Sequence, residues 1–332
     1  MRMVKTLIPC CIFIALLVAG ILEANTIARF SGISLRYSTP ISGQSAFNAR
    51  QFAIENDSPF WPTFWHECTA VLYVGARTAQ VGVISFSGDA MLVWPARYLT
   101  GNAPSVIDGY GIAVSKNLAH RLWGSINVIG KRVYVGNTPR IVRGVFEGDR
   151  DLALLSLHIE NTSQNFTAVE LTQTSGSETR ESVENFATTS GLGRPNYIIM
   201  GWTMSFARFI AIFPLFIPGV YILVLVFRFA KKYYPLAGTS LFFTGLVLLA
   251  IMLPTLLNTF SPQLIPTHWS DFSFWSSLVQ QASSGLREFL STNPMLRDIE
   301  LKMYLIRQTV IFMLAMCCGI VVTVFCQSHT RP

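Results

Sequence analysis

Leu122–Gly136 reads LWGSINVIGKRVYVG, and two glycines followed by a lysine raise the question of a phosphate-binding loop. That loop needs four residues between its glycines, then Lys and a Ser or Thr to hold magnesium. Here Gly124 and Gly130 are separated by five residues, and Lys131 is followed by Arg132, which cannot ligate magnesium. A phosphate loop must also open a helix whose free N–H groups face the anion. Beyond Arg132 the chain instead runs Val133-Tyr134-Val135, an alternating β-branched and aromatic run that predicts a strand. The stretch is therefore read as structural. Ser115 is a plausible N-cap for a short helix over 116–123, with Leu118, Ala119 and Leu122 on one face. Gly124 then stands where that helix stops. Gly130 marks a turn, 131–135 forms a strand, and Gly136-Asn137 is a hairpin signal with the chain returning through Arg140–Arg143.

Working outward, Val71–Val74, Val81–Ile84 and Ile112–Val114 read as strands before this unit. After it, Leu152–Ile159 and Thr167–Leu171 read as strands and Ser177–Ala187 as a helix, and Asn196–Met200 leads back to the membrane. Helices mix with antiparallel strands without a βαβ rhythm, which predicts the α+β class. Three N-x-Ser/Thr sequons begin at Asn56, Asn161 and Asn165, and matter only in a eukaryotic secretory pathway.

Apolar stretches flank this middle region. The chain is 51% hydrophobic and 13% charged, against about 25% charged in soluble domains. Leu7–Leu22, Phe209–Phe227, Leu236–Leu257 and Tyr304–Cys326 each suit a membrane span. The first also has the make-up of a signal-peptide core, with Ala19-Gly20 or Ala24 as a cleavage position. The expectation is an uncleaved anchor, because it completes a bundle of four. Pro214 and Pro218 lie inside the second span, where neighbouring helices can accommodate them.

The fold class expected is thus a bundle of four transmembrane helices with a large α+β extracytoplasmic domain inserted between helices 1 and 2. The segments are 1–23 (signal anchor), 24–205 (outer domain), 206–228, 236–257, 258–303 (outer loop) and 304–327. Arg2 and Lys5 before the first span, and Arg228, Lys231 and Lys232 between the second and third, place both termini in the cytoplasm. Arg297, Lys302 and Arg307 fit this rule poorly, flanking span four on the outer side. In the 258–303 loop, Trp275, Leu278, Val279, Ala282, Leu286 and Phe289 share one helical face, and Asn293-Pro294 reads as cap and first turn of the next helix.

Chemistry is not written into the chain. A net charge of +7 comes from scattered cations, with no basic run for nucleic acid, and suits anionic lipid instead. His66-Glu67-Cys68 groups three potential ligands, but no second His stands four residues after the first: position 70 is Ala70. His120, His158, His268 and His329 are isolated, and no Gly-x-Ser-x-Gly elbow occurs. Of six cysteines, only Cys68 lies in the polar middle, so it is expected to be unpaired. Trp61, Trp65, Trp94, Trp202, Trp269 and Trp275 read as core or interfacial belt, Trp202 suiting the belt best. No catalytic residue, metal ligand or cofactor is expected, and the chain is not expected to be an enzyme.

Gly111–Ala119 (GIAVSKNLA), Leu122–Ser125 (LWGS), Val128–Val135 (VIGKRVYV) and Ile141–Phe146 (IVRGVF), in that order, closely resemble the periplasmic core domain of MacB-type ABC transporter permeases. Phe86–Ala90 (FSGDA) and Leu99–Gly101 (LTG) are similar to its preceding strand and turn. Over the whole chain, one span, a large outer domain and three spans is the topology of MacB/FtsX permeases. The resemblance implies a bacterial inner-membrane subunit that hydrolyses nothing itself. It implies a homodimer paired with a cytoplasmic ABC ATPase subunit, relaying ATP-driven motion to an extracytoplasmic protein partner for export or mechanotransmission. One departure stands out. The family's charged coupling segment between spans two and three is reduced here to residues 228–235. This keeps a second reading open, a stand-alone membrane-anchored binding or scaffold protein that has lost ATPase coupling.

Overall fold

The computed structural model describes residues 2–30, 32–158, 163–173, 179–200, 202–232, 238–257 and 295–330, with isolated helical positions between 276 and 291. Two compact units form. A sheet unit takes Arg29–Gly201 and Ser273–Ile299, and a helical unit takes Met1–Ala28, Trp202–Phe272 and Glu300–Pro332.

In the sheet unit, the stretch around Leu122–Gly136 folds as expected. Strand β5 (Gly111–Ser115) ends at Ser115, whose hydroxyl caps helix α4 (Lys116–Trp123) by accepting from Leu118 N–H. Gly124 ends α4 at φ 75°, a conformation costly to any residue with a Cβ. Strands β6 (Arg132–Val135) and β7 (Thr138–Phe146) form the hairpin, with Val135 opposite Thr138 and Gly136 at φ 58°.

Around this hairpin lie β1 (Ile33–Ser42), helix α2 (Gly43–Glu55), β2 (Phe60–Val74), β3 (Arg77–Ser87), helix α3 (Ala90–Val93) and β4 (Tyr98–Gly101). After it come β8 (Leu152–Ser156), β9 (Asn165–Gln173), helix α5 (Arg180–Thr189) and β10 (Tyr197–Ile199). The strands make one sheet in the order β10-β1-β9-β2-β3-β8-β5-β7-β4. Because β6 pairs with both β2 and β7, the middle of the sheet closes on itself. Ile33, Leu35, Phe64, Val83, Val114, Val142 and Val169 fill the main core on one face. A second cluster, with Trp65, Ile84, Phe86, Phe146 and Leu154, fills the other.

The structure corrects several expectations. The sheet is mixed rather than antiparallel: β3 pairs with β8, and β5 with β7, in parallel. The β5–α4–β7 path is in effect a βαβ crossover hidden by the inserted β6, whose hairpin turns the chain back so that β7 runs beside β5. Val71–Val74 is only the end of the fifteen-residue β2. The strand expected over Leu152–Ile159 stops at Ser156, and the helix expected over Ser177–Ala187 runs from Arg180 to Thr189. β1 and α2 go beyond the sequence expectations: Pro40 and the run of Ser and Thr mask a strand whose bulge between Arg36 and Ile41 breaks its alternation.

Gly144 of β7 lies close against Tyr98 of β4 and the residue that follows the strand. A Cβ there would lie 2.3 Å from the Asn102 carbonyl and 2.7 Å from the Tyr98 ring. Gly144→Ala is accordingly expected to push β4 off β7 and cost about 2 kcal/mol, read as a lowered denaturation midpoint of the full chain in mild detergent.

In the helical unit, α1 (Arg2–Ile27) lies against α6 (Trp202–Ile212). Ala24, Ala207 and Ala211 are buried. A short 3₁₀ turn at Phe213–Leu215 separates α6 from α7 (Phe216–Lys232). Pro214 supplies the reason, since it has no N–H for the helical ladder. Next, α8 (Gly238–Leu257) pairs with α7, its Gly245 beneath the Phe227 ring. Helix α9 (Leu296–Thr330) is longer than the span expected at Tyr304–Cys326 and starts eight residues earlier.

Among the described residues, three stretches are long and apolar enough to cross a membrane: Ile8–Phe30, Phe206–Lys232 and Leu296–Val324. Within α8, the apolar stretch Gly238–Ile251 is shorter than these. These helices bury small residues and expose large ones such as Ile14, Phe243 and Ile306, the reverse of a soluble bundle. The proposed amphipathic face at Trp275, Leu278, Val279, Ala282, Leu286 and Phe289, the Asn293-Pro294 cap and the Trp202 side chain lie outside the described residues.

Candidate ionic site at the root of helix α9

Strand register places the site. In β1, Ile33 and Leu35 face the main core, so Ser34 and Arg36 face the other way. Ser34 stands opposite Glu170 of β9, which stands opposite Thr63 of β2. Arg36 stands opposite Ala168, which stands opposite Trp65. The small Ala168 leaves room for the Arg36 guanidinium to lie over Trp65, 4.9 Å from the ring centroid. Two residues beyond Trp65 on the same face comes Glu67.

The first turn of α9 covers this face. Met295 and Leu296 pack on the second core cluster, and Arg297 and Asp298 are buried among the strand side chains. Arg36 donates from Nε to Asp298 Oδ2 at 3.1 Å and from Nη2 to Oδ1 at 2.7 Å, a two-pronged grip that suits a guanidinium. Its Nη1 donates to Glu170 Oε1 at 2.9 Å. Glu170 also accepts from Trp65 Nε1 at 3.0 Å and from the Ser34 hydroxyl. Arg297 reaches Glu170 Oε2 at 3.3 Å, Ser34 Oγ at 3.2 Å and the Leu92 carbonyl at 3.1 Å. That carbonyl belongs to the end of α3, where intrahelical partners run out.

Two cations and two anions are thus held almost without water: Arg36 is 4% exposed, Arg297 2%, Glu170 and Asp298 0%. Burial alone would weaken the Arg36 charge, yet the Asp298 and Glu170 carboxylates lift its pKa above the ordinary guanidinium value. The cluster is electrically balanced. Removal of any one member leaves a buried charge uncompensated.

Glu67 completes the arrangement. Met295 precedes α9 and has no side-chain oxygen to cap it, although Ile299 N–H already donates to the Met295 carbonyl. Instead Glu67 Oε1 accepts from Leu296 N–H at 2.5 Å, a helix cap delivered from a strand far away in sequence. Burial raises the Glu67 pKa to about 7, against the opposing donors Leu296 N–H and Arg297 N–H; nearby Asp298 raises it further and Arg36 lowers it.

The stretch His66–Cys68 therefore separates. His66 turns to the opposite face, 5.9 Å from the Phe166 ring, while Glu67 meets α9 and Cys68 is a free, exposed thiol. Trp65 belongs to the core rather than to an interfacial belt. Arg297, a poor fit as a flanking charge, is a buried partner of Glu170. Sequence reasoning missed Arg36, Glu170 and Asp298. A charge inside an otherwise apolar strand, as in SLRYS (34–38) and AVELT (168–172), was the available signal. Among the described residues no group of His, Cys, Asp or Glu has the geometry to hold a metal ion.

No family model matches the sequence, and no curated protein matches it. Solved structures similar to the chain include the periplasmic region of MacB from Actinobacillus actinomycetemcomitans. It is 11% identical with a TM-score of 0.45, over 53% of this chain and 93% of that one. Another is the extracellular domain of the noncanonic ABC-type transporter YknZ from Gram-positive bacteria. It is 13% identical with a TM-score of 0.38, over 47% of this chain and 88% of that one. The chain is similar to extracytoplasmic domains of ABC-type transporters.

Proposed function

We propose that the chain is the permease-like membrane subunit of an ABC-type assembly of the MacB/FtsX kind. It passes motion driven by a partner ATPase to the extracytoplasmic side, for export or mechanotransmission, and performs no bond chemistry itself. The observation that carries this reading is the fixing of the α9 root by Arg36, Glu170, Arg297 and Asp298. A loop between a membrane helix and a sheet would absorb a displacement. A helix whose own first turn is ion-paired into β1 and β9 hands it on. In this reading α1, α6–α7, α8 and α9 make four crossings, both termini are cytoplasmic, and 24–205 and 258–303 lie outside. Lys231 and Lys232 in the last turn of α7 face the cytoplasm, beside anionic lipid or the ATPase. The assembly is a homodimer with an extracytoplasmic protein partner.

A second reading, the stand-alone membrane-anchored scaffold, draws on the short stretch between α7 and α8. The basic residues there belong to α7 itself, and only residues 233–237 separate the two helices. One experiment separates the readings. Tagged full-length protein, purified in mild detergent, is expected to bring down an ATPase subunit, and neutralising Lys231 and Lys232 is expected to release it. Repeated purification of folded protein with no ATPase would support the scaffold instead.

A further inference from the structure

The loop between β4 and β5 and the β6–β7 hairpin bring exposed apolar side chains and unpaired cations onto one surface. We propose that this surface docks a partner protein whose own face is acidic around an apolar centre. This rests on the relay reading for its meaning in the cell, and gives the extracytoplasmic partner a docking place and a chemistry. The surface lies wholly within the sheet unit.

Contacts make the surface continuous. Asp108, in the loop 102–110, accepts from Arg143 Nε of β7 at 2.6 Å. Arg140, also of β7, donates to the Gly109 carbonyl, and its guanidinium lies 5.8 Å from the Tyr110 ring centroid. Gly130 N–H donates to the Val142 carbonyl at 2.8 Å, so the turn that carries Ile129 borders β7 as well. In the hairpin Val133 faces the core. Arg132 and Tyr134 therefore face outward, opposite Ile141 and Pro139.

The loop is tied down, yet it keeps apolar side chains in water. Asp108 N–H donates to the Ser105 carbonyl at 2.9 Å, and the Ser156 hydroxyl donates to the same carbonyl at 3.3 Å. Gly111 N–H donates to the Asp108 carbonyl at 3.2 Å, and a Cβ on Gly109 would overlap the His158 ring. Between these ties Ile107 is 84% exposed, and Tyr110 is 61% exposed. Val106, Ile129 and Tyr134 are exposed too. One exposed apolar residue needs no explanation, but a contiguous set rimmed by charge marks an interaction site. A loop already fixed loses little freedom on binding.

Charge selects the partner. Residues 102–110 and 125–143 hold four cations, Lys131, Arg132, Arg140 and Arg143, and one anion, Asp108. Asp108 is already paired with Arg143, which leaves no acid in these segments for Lys131 and Arg132. Such a surface draws in carboxylates and rejects cationic faces. Anionic lipid would meet the same charge, but the topology favours a protein. β1 follows α1 through a single 3₁₀ turn, and β10 precedes α6. These strands, joined to membrane helices, stand at the opposite end of the sheet order from β7 and β4.

The test is photo-crosslinking of full-length protein in its own cells, with benzoylphenylalanine placed at position 107 or at position 134, and mass spectrometry of what is captured. Both positions are expected to capture the same protein, through a segment with an excess of Asp and Glu. Position 54, exposed on α2, is expected not to capture it. Lys131→Glu combined with Arg132→Glu is expected to cut the yield at position 107 roughly tenfold, with the denaturation midpoint unchanged. Should that pair unfold the chain, Lys131→Gln is read in the same way. Capture of lipid, of a second copy or of a segment without the acidic excess overturns the proposal. So does the absence of any capture, or a yield that charge reversal leaves unmoved in folded protein. None of these outcomes depends on an ATPase being found, so loss of the relay reading and loss of the docking surface are separately visible.

Discussion

Glu170→Leu is expected to lower the stability of the sheet unit by about 4 kcal/mol, a magnitude set by breaking a buried ion cluster. The carboxylate faces both Arg36 and Arg297, and it accepts from Ser34 and Trp65 as well. Leucine fills the volume, but leaves one guanidinium charge in excess where no water reaches. Guanidinium denaturation of the full chain in mild detergent, monitored by tryptophan fluorescence, would register the loss as a lower midpoint with an unchanged slope. Adding Arg36→Met to the same chain is expected to restore part of it, because that change removes the excess positive charge. A buried ion cluster is not in itself a strong source of stability; an incomplete one is a strong source of instability.

Asp298→Leu is the second large effect, at about 3 kcal/mol by the same measurement. Asp298 accepts two hydrogen bonds from Arg36, at 2.7 and 3.1 Å, from its place in the first turn of α9. Its loss also removes an acid from the helix N-terminus, where negative charge is favourable. The consequence should be local as well as global. Hydrogen exchange at Leu296–Ile299 is expected to accelerate more than exchange in the β5 core. If both accelerate equally, the α9 root is merely one more part of the core and not a separate attachment.

The range of an interaction decides whether the amino-acid sequence makes it legible. Ser115, Gly124, Gly130 and Gly136 act on residues two to four positions away, so the α4 cap, its stop and the β6–β7 hairpin can be read directly. Long apolar stretches are legible too, because length and composition decide them. The parallel pairing of β3 with β8 and β5 with β7 cannot be read, because it depends on which strand is inserted between which. Nor can the ionic site. Arg36, Glu170 and Asp298 lie far apart along the chain, and each alone looks like an ordinary charge. Only the register Ser34–Glu170–Thr63 and Arg36–Ala168–Trp65 turns them to one face. Arg297 illustrates the difficulty most clearly. Beside a hydrophobic stretch it resembles an interfacial cation, and only the fold reveals that it reaches Glu170 and the Leu92 carbonyl instead.

The start of α9 is held to strand β1 by a direct charge pair between Arg36 and Asp298. A double-mutant cycle over Arg36→Met and Asp298→Leu, on the full chain in detergent, measures that pair alone. The double variant is expected to be less destabilised than the two single variants summed, by at least about 2 kcal/mol. Additive losses, agreeing within about 0.5 kcal/mol, would mean that Arg36 and Asp298 do not hold each other, and the relay built on them would be contradicted.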